Sequence, residues 1–249
     1  MIRFAIAALL SIHAAAVAGA ELTVYSTIAM TEAWHDLKPA FEARGHKLNL
    51  VLATSGALAK RLSAGDTADV LVSTAAGVDS LAKEGRLAGT GREFAKSGMG
   101  VAVRKGAPKP DISTVEAFKQ ALLSNRVAYS DPSGGGASGI YFVQLLDKFG
   151  IAPLVNARAV RGKGVPNAEF VVKGEADIAI QQIPELMSVK GAEVIGPLPA
   201  EIQNTTVFAA GVLASSTDAA ASRALVDFLA SHETAMKLKA LGFEGSGGH

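Results

Sequence analysis

The sequence predicts an α/β protein of two lobes, each built on a mostly parallel sheet flanked by helices. The first observation behind this prediction is the regular alternation of short apolar runs with helical patterns along residues 22–84. This βαβα order is typical of parallel strands that are covered by helices on both faces.

The second observation is a break in that rhythm. The apolar strands predicted at residues 100–103 and 206–213 are not followed by a simple strand-to-helix turn, and residues 105–203 between them contain a βαβα set of their own. We therefore predict an inserted lobe, joined to the outer one by two crossing strands that act as a hinge. The predicted boundaries are residues 21–104 and 204–249 for lobe I and residues 105–203 for lobe II. The alternative is one continuous doubly wound domain.

In lobe I, alternating apolar residues predict the strands, and glycines mark the ends of the helices. Gly45, Gly65 and Gly85 follow the three helical patterns, and Pro39 is expected to kink the first helix. The predicted elements, in order, are a strand at 22–25, a helix at 29–44, a strand at 48–53, a helix at 57–64, a strand at 69–73 and a helix at 78–84.

In lobe II the same criteria predict a shorter βαβα set. Its elements are a strand at 127–129, a helix at 139–149, a strand at 157–160, a helix near 167–173 and a strand at 177–180. After the second crossing strand, a pair of amphipathic helices is predicted over residues 219–241.

The first twenty residues have the three regions of a secretory signal peptide. Arg3 supplies a positive charge, residues 4–10 are apolar, and Ala18-Gly19-Ala20 forms a small-residue cleavage site before Glu21. We predict a cleaved signal peptide at residues 1–20, export, and no membrane insertion afterwards. A membrane anchor is the alternative, but the apolar run is too short to span a bilayer.

Composition excludes several classes of function. The 249 residues are 49% hydrophobic with a net charge of +1, and only 6% are aromatic, so no basic surface for nucleic acid is expected. There is no cysteine, which excludes thiol catalysis and zinc–thiolate sites and fits an exported bacterial protein with an adequate core. No histidine pair has metal-ligand spacing, so we predict no metal site, and no cofactor is expected.

Four turns at predicted helix starts are rich in glycine or small hydroxyl residues. They are Ser26-Thr27, Thr54-Ser55-Gly56, residues 133–138 and Arg161-Gly162-Lys163-Gly164. In open α/β sheets ligands bind at the carboxyl ends of the strands, where free N–H groups and the helix dipole favour an anion. Any one of these turns is also an ordinary cap or a flexible loop, but four of them predict an anion site in a cleft. The amides of Gln181 and Gln182 follow another strand and are candidate donors, or part of a solvated turn.

Five short motifs along the mature chain form a recognisable set. They are Thr23-Val24-Tyr25-Ser26, Ser55-Gly56-Ala57-Leu58-Ala59, Ala68-Asp69-Val70, Asp131-Pro132 with Gly139-Ile140-Tyr141, and Val207-Phe208-Ala209-Ala210. Together they resemble the type II periplasmic solute-binding proteins of the molybdate-binding-like branch, over nearly the whole mature chain. The resemblance implies the type II periplasmic-binding-protein fold and a monomer in the periplasm. Such a protein captures a small anionic ligand between its lobes and delivers it to an ABC permease.

Residue by residue, the resemblance is incomplete. Ser55 matches the serine of the second loop that contacts the anion, whereas the serine of the first loop falls on Ala29. Ser138 stands where alanine is usual, and Gln182 stands where a tyrosine closes the molybdate site. Val165 matches a backbone contact. These departures imply a different and larger anion.

An organic acid with several carboxylates would also use Lys163, Arg161 and the added N–H groups. The predicted ligand-binding residues are Ser26, Thr27, Ser55, Gly56, Gly136, Ser138, Lys163, Val165 and Gln182.

The branch is also similar to periplasmic aconitate isomerase, an enzyme type on the same fold. Its reaction moves a proton along an allylic tricarboxylate, which needs a base near the substrate carbon. Tyr25, Tyr141 and Glu169 are the candidate bases, and the sequence does not choose among them. The prediction is therefore a periplasmic anion-binding protein, with the isomerase as the alternative.

Overall fold

The computed structural model describes residues 19–245. Residues 1–18, which make up most of the predicted signal peptide, and residues 246–249 lie outside the described residues. Within the described range we find no helical segment whose length and hydropathy would let it span a bilayer.

The first part of the chain alternates strands and helices as predicted. Its elements are β1 (Glu21–Thr27), α1 (Thr31–Glu42), β2 (Lys47–Ala53), α2 (Ser55–Ser63), β3 (Val70–Thr74) and α3 (Ala75–Lys83). β1 pairs in parallel with both β2 and β3. A 3-10 helix, Ile28–Met30, joins β1 to α1, so the first helix begins later than the sequence predicts.

The middle and last parts of the chain continue the α/β pattern. Their elements are β4 (Arg92–Arg104), α4 (Val115–Ser124), β5 (Val127–Ser130), α5 (Ala137–Lys148), α6 (Ala152–Asn156), β6 (Val160–Gly162), α7 (Ala168–Val172), β7 (Ile178–Gln182), α8 (Ile183–Met187), β8 (Ala192–Pro197), β9 (Thr205–Val212), α9 (Ala219–Leu229), α10 (His232–Ala240) and β10 (Glu244–Gly245). The predicted final helix pair is confirmed as α9 and α10.

The strands form one continuous path in the order β2-β1-β3-β9-β4-β7-β5-β6, with β8 and β10 attached to β4. The two ends of the path are parallel, because β1 pairs with β2 and β3, and β5 pairs with β6 and β7. The centre is antiparallel through β9 and β4. The mixed α/β fold of the prediction is confirmed.

β4 connects the two ends of the path. Residues 92–98 of this 13-residue strand pair with β9, and residues 99–104 pair with β7 and β8. Within residues 19–245, β9 pairs only with β3 and with the first half of β4. Of the two predicted crossing strands, β4 is therefore the one that is hydrogen-bonded to both parallel groups.

The buried apolar residues fall into separate clusters on the two sides of the middle of β4. Leu22, Phe41 and Phe228 belong to a cluster drawn from residues 22–95 and 208–243. Phe118 and Phe142 belong to another, drawn from residues 99–202. Burying a side chain of this size contributes about 1.5–3 kcal/mol, so each cluster is a substantial core. The lobe boundaries stay a prediction.

Several predicted elements differ from the structure. The predicted strand at 157–160 is wrong over its first three residues, because α6 has just ended there and only Val160 enters β6. Pro153 in the first turn of α6 fits a helix start. The predicted strand at 100–103 is the second half of the much longer β4. α4, α8 and β8 have no counterpart in the prediction.

Candidate functional site

A cavity of about 140 Å³ lies at the edge of the sheet where strands end and helices begin. This is where α/β proteins bind their ligands, and the size suits a small molecule. Residues from both ends of the sheet line it: Thr27, Ile28, Ala29, Thr54, Ser55, Thr74 and Phe208 from one, and Ser130, Asp131, Ser133, Gly134, Gly136, Ala137, Ser138, Gly162, Lys163, Gly164, Val165, Gln182 and Glu185 from the other.

Most of the predicted ligand-binding residues meet at this cavity, although their roles stay a prediction. The residues that line it are Thr27, Ser55, Gly136, Ser138, Lys163, Val165 and Gln182. They come from five strand-to-helix turns, the four rich in glycine or hydroxyl residues and the turn that Gln182 begins. Ala29, the position that the resemblance equates with a ligand-binding serine, also lines the cavity.

Ser26 and Gly56 do not line the cavity. The hydroxyl of Ser26 is fully buried and accepts a hydrogen bond of 2.7 Å from Nε1 of Trp34, which attaches α1 to β1. The N–H of Gly56 donates to the carbonyl of Gly135 at 3.3 Å. Ser26 is thus committed to a structural contact, and Gly56 joins the α2 turn to the α5 turn.

The start of α5 offers free donors to the cavity. Its N-cap is Gly136, so no side chain caps the helix, and its first-turn N–H groups have no partner inside the helix. Ser138, in that turn, is 7% exposed and adds a hydroxyl. The start of α2 is different, because Thr54 caps it by accepting from the N–H of Ala57 at 3.2 Å.

An ion pair joins two turns of the cavity wall, the turn after β5 and the turn after β6. The Lys163 ammonium lies 3.7 Å from the Asp131 carboxylate, and the lysine side chain is largely exposed. Asp131 also accepts from the backbone N–H of Ser133 at 2.9 Å. The hydrogen bonds from Ser133, assisted by the nearby Lys163 and Arg161 charges, hold the pKa of Asp131 below its usual range. Asp131 therefore fixes the turn that follows β5.

Gln182 brings an amide to the cavity from the end of β7. The residue is 4% exposed, and its Nε2 donates to the hydroxyl of Thr206 at 2.7 Å. Its Oε1 is buried without a partner in the described part of the chain. Whichever way the amide is turned, one of its polar atoms pairs with Thr206 and the other has no partner in the described part of the chain.

Glu185 is the functional candidate that sequence reasoning missed. It lies in the first turn of α8, lines the cavity, and accepts a hydrogen bond of 2.7 Å from Nε2 of Gln181. Burial of the carboxyl raises its pKa to about 7, although the Gln181 bond acts in the opposite direction. The residue keeps partial exposure because it also lines a second cavity that shares Ile28 and Val165 with the first.

The amide of Gln181 holds Glu185 within a wider network. Its Oε1 accepts from the backbone N–H of Asn167 at 2.6 Å, and the Asn167 side chain donates to Ser130 and to the Ile180 carbonyl at 3.0 Å each. A sequence signal was present: an acidic residue directly follows Pro184 in the turn after Gln181-Gln182.

The candidate bases named from the sequence lie elsewhere. Tyr25 donates to the Asp66 carboxylate at 2.9 Å, and Tyr141 donates to the Ile202 carbonyl at 2.8 Å. Glu169 pairs with Lys173 at 2.9 Å. None of the three lines the cavity, so none is placed for proton transfer there. The same holds for Arg161, a suggested carboxylate ligand, whose Nε donates to the Tyr129 hydroxyl at 3.0 Å.

Across residues 19–245 there is no group of three or more His, Cys, Asp or Glu side chains that could hold a metal ion. The donor set of the cavity is instead one of N–H groups, hydroxyls, an ammonium, an amide and two carboxyls. Such a set suits an anion that also accepts or exchanges protons.

The fold and this site define a solute-binding protein. The chain belongs to the bacterial extracellular solute-binding protein family, which matches residues 22–244. This confirms the resemblance to the molybdate-binding-like branch of the type II periplasmic proteins.

Two relatives with named functions match most of the chain. It is 34% identical to an aconitate isomerase from a Pseudomonas species over 232 residues, which cover 90% of this chain and 87% of the relative. It is 26% identical to the molybdate-binding protein ModA of Mycobacterium bovis over 214 residues, which cover 82% and 77%.

Solved structures show the same fold at lower identity. The periplasmic molybdate-binding protein of Azotobacter vinelandii matches with a TM-score of 0.73 and 19% identity, over 89% of this chain and 98% of that one. The sulfate-binding protein SubI of Mycobacterium tuberculosis matches with a TM-score of 0.72 and 20% identity, over 92% and 88%.

Proposed function

We propose that this protein binds a small organic anion with two or three carboxylates in the cavity described above. The observation that carries the proposal is the uncapped start of α5, which opens onto the cavity beside Ser138. Unpaired N–H groups and the helix dipole bind one carboxylate there, and Lys163 is available for another.

The composition of the cavity wall favours an organic acid over a tetrahedral oxyanion. A fully ionised anion of any shape is bound best by donors alone and is repelled by carboxylates, whereas an organic acid can share a proton between its own carboxyl and one of the protein. Here Asp131 and Glu185 both line the cavity. The pKa of Glu185 is raised to about 7, so its carboxyl is protonated in a large part of the molecules near neutral pH and can donate to a ligand carboxylate.

The predicted lobes are part of this proposal. Residues 21–104 with 204–249 and residues 105–203 would form the two sides of the cleft and close on the anion. We further propose that the protein is exported to the periplasm as a monomer and delivers its ligand to an ABC permease. The membership of the solute-binding family supports this setting.

A thermal-shift panel of molybdate, sulfate, phosphate, and di- and tricarboxylates tests the proposal. A ligand present at a hundred- to thousand-fold excess over its dissociation constant stabilises the folded protein by about 3–4 kcal/mol. We expect tricarboxylates or dicarboxylates to raise the melting temperature. A response to molybdate or sulfate alone would contradict the organic-acid proposal, and the protein would then be a carrier of an inorganic anion.

A second candidate function is isomerisation of an unsaturated tricarboxylate in the same cavity. The observation that favours it is the buried Glu185 carboxyl at the cavity, a feature that anion binding alone does not require. The 34% identity to an aconitate isomerase supports it independently. Incubation with cis-aconitate or trans-aconitate, followed by ultraviolet absorbance, separates carrier from enzyme because a carrier gives no turnover.

A further inference from the structure

Glu185 differs from the other charged side chains of the cavity in how it is held. Asp131 is engaged by the backbone N–H of Ser133 and faces Lys163, which makes it a weak base. Glu185 receives one neutral hydrogen bond, from the amide of Gln181, and lies half-buried in the cavity wall, where burial raises the pKa of its carboxyl. A carboxyl held in this way accepts and releases a proton near neutral pH, as a general acid–base group must.

The position of the carboxyl is fixed by Gln181, which lies near the end of β7. The other amide atom of Gln181 accepts from the backbone N–H of Asn167 at 2.6 Å, so the amide is itself held in place. The same carboxyl lines both the main cavity and the second cavity that adjoins it. It is therefore held still and also reaches the space where a ligand would lie.

We propose that Glu185 carries the proton in an allylic isomerisation of an unsaturated polycarboxylate bound in this cavity. The inference rests on the proposed binding function and deepens it by assigning the reacting group. Of the two carboxyls on the cavity wall, Asp131 is paired with the Lys163 ammonium, whereas Glu185 is held by the neutral amide of Gln181.

The proposed step balances without any other reactant. The ionised Glu185 removes a proton from the methylene next to the carbon–carbon double bond, and the electron pair of the broken C–H bond moves into the allylic system. The double bond shifts by one position, and Glu185 returns the proton to the carbon at the other end. Nothing is oxidised or reduced, and the carboxyl ends as it began.

The reaction also requires that the negative charge formed on proton removal be stabilised. Removal of the proton places negative charge on the allylic carbons and on the carboxylates conjugated with them. The free N–H groups at the start of α5 and the Ser138 hydroxyl supply neutral donors to such charge. These groups bind the substrate as well, so their loss affects binding and rate together, whereas loss of Glu185 affects the rate.

The test uses the mature full-length protein with trans-aconitate and cis-aconitate as probes. Exchange of the methylene hydrogens with deuterium in D₂O is followed by NMR, which detects proton removal even when the double bond does not move. Binding is measured in parallel by thermal shift. The variants are Glu185→Gln, which keeps size and polarity, and Glu169→Gln, a control in the exposed pair with Lys173.

We expect Glu185→Gln to slow exchange and isomerisation by at least about 100-fold, the usual scale of general acid–base catalysis, with affinity within about threefold of the unmodified protein. Glu169→Gln is expected to behave as the unmodified protein. If Glu185→Gln does not fold, Glu185→Asp replaces it. That variant keeps a carboxyl but withdraws it by one methylene, and we expect exchange to slow at least tenfold.

Three results would overturn the inference. Unchanged exchange in Glu185→Gln means that another group carries the proton. Binding without exchange in the unmodified protein means a carrier, which leaves the proposed binding function standing. If neither isomer binds, the proposed tricarboxylate ligand is wrong. The thermal shift distinguishes this failure of binding from a failure of proton transfer.

Discussion

At the scale of single residues, Ser138 and Ser55 stand on opposite parts of the cavity wall, one in the first turn of α5 and the other in the first turn of α2. We expect Ser138→Ala and Ser55→Ala each to weaken binding of the carboxylate ligand that raises the melting temperature in the thermal-shift panel. Each removes a hydrogen bond to a charged group, which is worth about 1.5–3 kcal/mol, or roughly 10- to 150-fold in the dissociation constant. Isothermal titration calorimetry gives that constant directly.

The matched control is Ser124→Ala, an exposed serine at the end of α4 outside the cavity. Its affinity and its melting temperature should equal those of the unmodified protein. The two cavity variants should also melt at the normal temperature without ligand. Unchanged affinity in both would show that the ligand binds somewhere other than this cavity.

The residues of the site were predictable to different degrees, for physical reasons. Ser55, Ser138 and Lys163 lie in turns whose glycine and hydroxyl content marks a helix start, so the sequence pattern located them. Glu185 was missed because its distinctive property is the burial of its carboxyl, and burial depends on how α8 packs. Ser26, also predicted to bind the ligand, does not line the cavity, and the sequence does not reveal that its hydroxyl pairs with Trp34.

At the scale of secondary-structure elements, Asp69 holds two strands and a loop together. Its carboxylate accepts from the N–H of Thr23 in β1 and from the N–H of Thr217 before α9, both at 2.8 Å, and from the Ser216 and Thr217 hydroxyls at 3.1 Å each. Burial raises the pKa of Asp69, but these hydrogen bonds outweigh it and leave the pKa below its usual value.

We expect Asp69→Asn to lower the free energy of unfolding at pH 7 by about 1.5–3 kcal/mol, because an amide cannot accept all of these bonds. The folded-state pKa is depressed, so this stabilisation is present above the unfolded pKa of about 3.9 and is lost as pH falls through the folded value. The difference between the variant and the unmodified protein should therefore shrink below about pH 4.

Urea denaturation at pH 7 and at lower pH measures this difference. The exposed Asp79 of α3 provides the control, and Asp79→Asn should leave stability within about 0.5 kcal/mol at each pH. A difference for Asp69→Asn that stays constant with pH would show that the ionisation of Asp69 does not contribute.

Elements with strong local signals were predictable, and those that depend on distant partners were not. α2 is preceded by a threonine cap and followed by Gly65, which has φ of 99°. Both ends of this helix are therefore predictable from local residues. β8 is half-buried over most of its length and contains Gly196 and Pro197, so it lacks the alternation of a strand. It forms because β4 offers it a backbone partner.

At the scale of the whole molecule, the α2 turn and the α5 turn touch beside the cavity. Thr54 donates to the Gly134 carbonyl, and the N–H of Gly56 donates to the Gly135 carbonyl. A Cβ added at Gly56 would lie 3.0 Å from the Cα of Gly135, and Gly135 has φ of 71°, a conformation that L side chains rarely adopt. The two turns approach this closely only because both positions are glycine.

We expect Gly56→Val to keep the turns apart and so to weaken ligand binding at least tenfold, while the melting temperature without ligand changes little. Ala59→Val, one turn further along α2 at an exposed position, introduces the same side chain into the same helix without touching the α5 turn. If the proposed lobes close on the ligand, small-angle scattering should show a smaller radius of gyration on ligand addition for the unmodified protein and for Ala59→Val. Gly56→Val should show little change. Equal compaction in Gly56→Val would contradict closure through this contact, because the valine side chain has no room between the two turns.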